Sequence, residues 1–304
     1  MISLLLILIA AVFFIGIVIK VKAKIAARKM PSVLQPVYDV IRLFRKGAIY
    51  STTTSILFRV APLIYFATIA TAMLFIPVGS QKSILSFQGD FVFFAYLLAF
   101  GKFMMIVAAM DTGSGFEGMG ANREALYSML VEPAFFILMG SQALFTGYVS
   151  FQDLFFHLHL SSQLSYIIGL ASIYVFVYIA MVENSRMPVD DPKTHLELTM
   201  VHEVMVLDNS GFDLALIHIG TWLKFSIYGT LISGFVIQNS WSWYWQVATF
   251  FGIMAAFAAA VGLLEAFRAR NKMEKNPQWI LMLSAIAVVI FLTVLIITQK
   301  IILN

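Results

Sequence analysis

Six carboxylates crowd one polar stretch of an otherwise apolar chain. ENSRMPVDDPKTHLELTMVHEVMVLDNSG, residues 183–211, holds Glu183, Asp190, Asp191, Glu197, Glu203 and Asp208. Further ionisable groups lie inside apolar runs, namely Lys102, Glu132, Asp213, Lys224 and Glu265, with Arg59 near the start of another. A charged side chain inserted into a bilayer costs at least ~2.5–3.5 kcal/mol, so such groups pair with an opposite charge or line an ion path. An acid in low dielectric holds its proton more tightly, and a neighbouring Arg reverses that. The chemistry these residue types support is therefore proton or charge handling. Glu132, Glu183, Glu197, Glu203 and Asp208 are the candidate path acids, with Arg123, Arg186 and Lys102 as counter-charges. The plainer alternative is a structural ion pair, such as Lys102 with an acid. Glu183 and Arg186 stand three apart, so they share a face if that turn is helical.

Other chemistries find less support. The chain has no cysteine. It therefore offers no thiolate to an iron–sulfur cluster or a nickel–iron centre, and no c-type haem attachment. His202-Glu203 lacks the second His of a metalloprotease helix. His195 and His202, seven apart, read as a polar helical face, with a metal pair as the weaker reading. His157 and His159 supply two ligands where a metal site needs three or four. No metal site is assigned. The glycine-rich DTGSGFEGMGANRE, residues 111–124, has no Lys-Ser/Thr ending and no preceding strand, so it is not a phosphate loop. It reads as a closely packed loop at an interface or a cavity mouth.

The elements that position these groups are membrane helices. Of 304 residues, 61% are hydrophobic and 12% charged, and mean hydropathy is +0.89. The runs are long and unbroken rather than alternating, which excludes a β-barrel. The expected fold is an all-α integral membrane protein forming a single membrane domain over 1–304. It has about eight transmembrane helices, near 2–19, 56–78, 91–110, 124–147, 163–182, 214–237, 244–264 and 278–299. The first run lacks the charged start and small-residue cleavage site of a signal peptide. Loops 20–55, 111–123, 183–213 and 265–277 carry fifteen basic residues, against Lys82 and Lys300 on the other side. Those four loops are therefore expected in the cytoplasm, with both termini away from it. This topology accounts for the basic excess without any nucleic acid. Residues 31–47 predict a cytoplasmic amphipathic helix with Val33, Leu34, Val37, Val40, Ile41 and Phe44 on one face. Such a helix anchors the chain in the interface, docks a soluble partner, or does both.

At these residues a resemblance becomes specific. ENSRMPVDDPKTHLELTMVHE resembles the signature loop of the complex I subunit-1 family, with Glu183, Arg186, Pro188, Asp190, Pro192, Glu197 and Leu198 in register. From Val189 to Glu203 it is more similar to the membrane-anchor subunits of group 4 membrane-bound nickel–iron hydrogenases and formate hydrogenlyases (subunit 4 type). LQPVYDVIRLF resembles the family's first-loop helix, and DTGSGFEGMGANRE the second loop of the hydrogenase branch. Arg123 and Glu132 keep the family's nine-residue spacing. Three features depart from the pattern. Asn122 replaces a Ser, Asp208-Asn209-Ser210-Gly211 replaces Glu-Tyr-Ser-Gly, and FRARNKMEKNPQ lacks the arginine-rich pattern of the quinone-reducing enzymes.

The resemblance implies a membrane-anchor and coupling subunit in a prokaryotic cytoplasmic membrane. Its partners would be hydrogenase large and small subunits, a ferredoxin-like iron–sulfur subunit, antiporter-like membrane subunits and membrane lipid. The nickel–iron centre and 4Fe–4S clusters would reside in those partners, with no cofactor in this chain. Redox turnover there would drive proton or sodium translocation. Gln35, Asp39, Arg42, Asp111, Gly118, Gly120, Asp190, Asp191 and His195 are the expected docking residues. The alternative is a quinone-binding subunit of a complex I-type oxidoreductase. An independent transporter is disfavoured by the lack of an internal repeat.

Overall fold

A computed structural model describes residues 1–158, 163–190 and 200–298. Asp191, His195, Glu197 and His159 lie outside the described residues. Among the described residues eleven α-helices follow in order: α1 (Ile2–Ile25), α2 (Gln35–Phe44), α3 (Ile56–Ala72), α4 (Asp90–Asp111), α5 (Gly115–Thr146), α6 (Phe151–His157), α7 (Gln163–Glu183), α8 (His202–Met205), α9 (Gly211–Gly234), α10 (Trp243–Phe267) and α11 (Asn276–Ile297). The described residues contain no strand, only one isolated bridge between Val78 and Gln81. Eight of these helices are long and apolar enough to cross a membrane. The protein is thus an all-α, multi-pass membrane protein.

Helix α9 is the centre of the bundle, packing against α1, α2, α3, α7 and α10. Its buried residues run nearly all the way round, including Leu223, Lys224, Phe225 and Tyr228. Around it, α3 packs on α4, α4 on α5, α5 on α11, and α1 on α10. The outer helices leave faces such as Leu281, Met282, Val289 and Leu292 exposed, as lipid contact requires. Small residues permit close approaches. A Cβ on Gly101 would meet Thr68, and one on Gly16 would meet the backbone of Val33.

The glycine-rich segment differs from the sequence expectation. It is helical from Gly115 onward, so α5 starts nine residues before the expected span at Glu124. Each Gly costs a helix ~1 kcal/mol relative to Ala, but packing overrides the propensity. Gly120 sits against Val201, Val204 and Met205, where a Cβ would collide. The amphipathic helix is shorter than its pattern, Gln35–Phe44. Pro36 and Val40 face the bundle, while Tyr38, Ile41 and Phe44 form an exposed apolar stripe.

Local contacts gather the four basic loops at one end of the bundle. The Asp111 carboxylate accepts the Ser55 amide at 2.7 Å, joining the end of α4 to the start of α3. Ser210 Oγ accepts the Ile49 amide at 3.1 Å. Gly211, at φ +52°, lies against the carbonyls of Lys46 and Gly47. The Asn271 amide donates to Pro188 O at 3.0 Å, and Asn276 Nδ2 donates to Val189 O at 3.1 Å. At the opposite end, the buried Asp90 accepts the Phe151 amide at 2.7 Å and so fixes the start of α6. His157 closes this helix, with its ring stacked on Tyr148 at 4.2 Å.

Candidate functional site

Apolar helices bury charge at least cost where opposite charges meet, and four of the charges inside this bundle meet in one cluster. Glu183 Oε2, at the end of α7, lies 3.0 Å from Lys102 Nζ on α4 and 3.1 Å from Lys224 Nζ on α9. Lys102 also reaches Glu124 Oε1 on α5 at 3.3 Å. Four helices thus contribute two lysines and two glutamates to a buried, formally neutral cluster. Removing or adding a proton leaves an uncompensated charge in low dielectric, where interactions are strong.

Two cavities adjoin the cluster. One is lined by Lys102, Glu132, Glu183, Tyr228 and apolar residues of α4 and α5. It puts Glu132, on the exposed flank of α5 beside Pro133, within the field of Glu183 and Lys102. The other is lined by Lys102, Glu124, Glu183, Asn184, His202, Thr221 and Lys224.

Glu183 and Arg186 do not pair. The helix ends at Glu183, and Ser185 takes a left-handed conformation, φ +51°. That turn carries Arg186 away, so its Nη1 binds Glu265 Oε1 at 3.1 Å. Lys22 Nζ approaches the other oxygen of Glu265 at 3.5 Å. This second cluster ties α1, α10 and the segment after α7 together. A third pair follows. Asp190 Oδ1 binds Arg270 Nη2 at 2.8 Å, and its Oδ2 accepts the His202 amide at 3.0 Å.

The other expected site residues are dispersed. Arg123 contacts no carboxylate among the described residues. It donates to Met200 O at 3.0 Å and to Met119 Sδ at 3.1 Å, because α5 turns it toward α8 rather than into the bundle. Glu203 lines a chamber with Arg186, His202 and His218. Asp208 is exposed, and its amide donates to the buried Glu117 Oε1 at 3.2 Å, away from the Glu183 cluster. Of the expected docking residues, Gln35, Asp39 and Arg42 stand on α2. Gln35 binds Asp39 at 2.9 Å. Asp39 and Arg42 are exposed at 3.9 Å, a spacing worth little in solvent. Gly118 is open. Asp111, Gly120 and Asp190 are instead occupied within the chain, by the Ser55 amide, by α8, and by Arg270 with His202.

Glu124, Glu117, Lys224, Glu265 and Arg270 were not among the expected site residues. Lys224 and Glu265 stood out as charges in apolar runs. Glu124 carried no such signal, lying next to Arg123 at the expected loop boundary. Near α2, burial and then the Asp213 carboxylate raise the Tyr50 phenol, whose ring lies 4.8 Å beneath the Arg59 guanidinium.

Known proteins resemble this chain in sequence and in fold. The chain is 27% identical to hydrogenase-4 component C of Escherichia coli (strain K12) over 220 residues, 72% of this chain and 68% of that one. It is 26% identical to formate hydrogenlyase subunit 4 of the same organism over 278 residues, 86% and 87% of the two chains. A subunit of the membrane-bound sulfane sulfur reductase, an archaeal respiratory membrane complex, superposes with a TM-score of 0.77 at 18% identity, covering 95% of this chain and 98% of that one. The NADH dehydrogenase family model matches residues 1–297, and the chain belongs to that family, in its complex I subunit-1 type.

Proposed function

We propose that this chain, a membrane subunit of the respiratory-complex type, anchors a soluble hydrogenase module and couples its redox reaction to proton or sodium movement. The observation that carries the reading is Glu183 held between Lys102 and Lys224 at the end of α7. From there the backbone runs within three residues to Arg186 and its own buried partner, Glu265. A displacement of the loop after α7 by a docked partner would move Glu183 relative to its lysines and change which group holds a proton. Moving one charge against 100 mV costs ~2.3 kcal/mol, an amount that making or breaking one buried ion pair readily exceeds.

Two surfaces support assembly. The exposed stripe of α2, with Asp39 and Arg42 beside Tyr38, Ile41 and Phe44, suits both the interface and a soluble partner. A carboxylate on the outer flank of a spanning helix is too costly to leave against lipid. The flank of α5 at Glu132 is therefore where an antiporter-like membrane subunit would sit. The nickel–iron centre and 4Fe–4S clusters would belong to the docked large, small and ferredoxin-like subunits, since a chain without cysteine supplies no thiolate ligand. The four basic loops would face the cytoplasm of a prokaryotic cell, with both termini opposite.

The test is Glu183→Gln in the assembled complex, in inverted membrane vesicles. Redox turnover measured with a soluble dye should continue while ion movement per turnover falls at least tenfold. A wild-type gradient in that variant would remove the coupling role.

A further inference from the structure

Two buried polar atoms stand without partners beside the ionic clusters. Among the described residues Asn184 Oδ1 accepts nothing and Arg186 Nε donates to nothing, although these residues are 5% and 9% exposed. Both residues line one chamber, together with His202, His218 and Thr221. An acceptor and a donor left unpaired in the same buried space each cost ~1–3 kcal/mol, and water with two to four polar partners satisfies them. The chamber adjoins the cavity of the Glu183 cluster, with Asn184, His202 and Thr221 in the wall between them.

His202 stands at that junction. Its amide is fixed by Asp190, and neither ring nitrogen has a hydrogen-bond partner among the described residues. The charged and titratable groups around the ring come from several elements: Glu124 on α5, Lys224 and His218 on α9, and Lys102 on α4. We propose that His202 is a proton relay, passing protons through a water-filled chamber between the Lys102–Glu124–Glu183–Lys224 cluster and the Arg186–Glu265 pair. One ring nitrogen takes a proton from a hydronium on one side. The other releases its own proton to a water on the far side, which leaves the neutral imidazole in its other tautomer, and tautomer exchange then restores the starting side chain. Burial, opposed by Glu124, holds the imidazole down to about 4, so the resting ring is neutral and the charged form is the transient one. This inference rests on the coupling role of Glu183 proposed above.

The test uses His202→Gln in the assembled complex in inverted vesicles, with a pH-sensitive dye reporting the gradient. Turnover with a soluble dye should persist, and the gradient per turnover should fall at least tenfold. His202→Gly should show the same loss and recover at least a fifth of the gradient when imidazole is added, which a packing role would not allow. A wild-type gradient in His202→Gln, or a loss that imidazole leaves untouched, overturns the relay. If His202→Gln fails to assemble, radiolytic labelling of the wild-type complex decides. His202 and Trp222, both lining the chamber, should be oxidised as fast as exposed residues. Labelling at the slow rate of dry core residues overturns it. Loss of coupling in Glu183→Gln but not in His202→Gln removes the relay and leaves the proposed function standing. Retention in both removes both.

Discussion

Glu183 neutralises two lysines at once, so its loss strands positive charge in the bundle. Breaking a buried pair by removing one partner costs ~3–5 kcal/mol. Glu183→Gln should lower the unfolding midpoint of the subunit in detergent, and adding Lys102→Met should recover part of the loss. A double-mutant cycle checks it; strict additivity would show that the two do not interact. Arg186 is a different case. It gives Glu265 one nitrogen at 3.1 Å, and its Nε has no partner among the described residues. Arg186→Lys retains the charge without the planar fork. The expected outcome is normal assembly with coupled ion movement reduced, read as gradient per turnover; unchanged coupling would return Arg186 to a structural role. His202 carries a pH signature of its own. A base whose affinity for protons is depressed by folding favours the native state above its unfolded value near 6.5. That contribution is lost as pH falls from there toward about 4. The midpoint of the wild-type chain should therefore fall more steeply across pH 6.5 to 4 than that of His202→Gln, as thermal scans would record.

Two elements depend on a glycine. Helix α5 accepts α8 only because Gly120 presents no side chain to Val201, Val204 and Met205. Gly120→Val should cost ~1–3 kcal/mol by overpacking and displace α8, taking His202 and Glu203 with it. Faster proteolysis between α7 and α9, with the other loops unchanged, is the expected readout. At the start of α9, Gly211 has φ +52°, and a Cβ added there would lie 2.7 and 2.6 Å from the carbonyl oxygens of Lys46 and Gly47. Gly211→Ala meets both strain and a clash, so it should detach residues 46–50 from α9. Increased hydrogen exchange at the Ile49 amide, which donates to Ser210, is the measurement.

For the whole molecule, the gathering of four loops at one end makes orientation a single choice. Cysteines placed at Lys46 and Asn122, both exposed, should be labelled together from the cytoplasmic side and be protected once soluble subunits assemble. Labelling from opposite sides would break the topology. The helices themselves were legible in the sequence, because eight runs long enough to span a bilayer leave the backbone no alternative but to satisfy its own hydrogen bonds. The amphipathic α2 and the polar loop after α7 were legible too, from periodicity and from charge in an apolar chain. The partners of the charges were not. Glu183 and Arg186, three apart in sequence, part company because Ser185 leaves the helical region. Lys102, Glu124, Glu183 and Lys224 meet although no local spacing relates them. Hydrophobic runs determine that a helix crosses and roughly where it ends, since that is a matter of transfer free energy along one segment. Which acid faces which base depends on the rotation of each helix about its axis and on its neighbours. Packing across α4, α5, α7 and α9 sets both, and only the tertiary structure decides them.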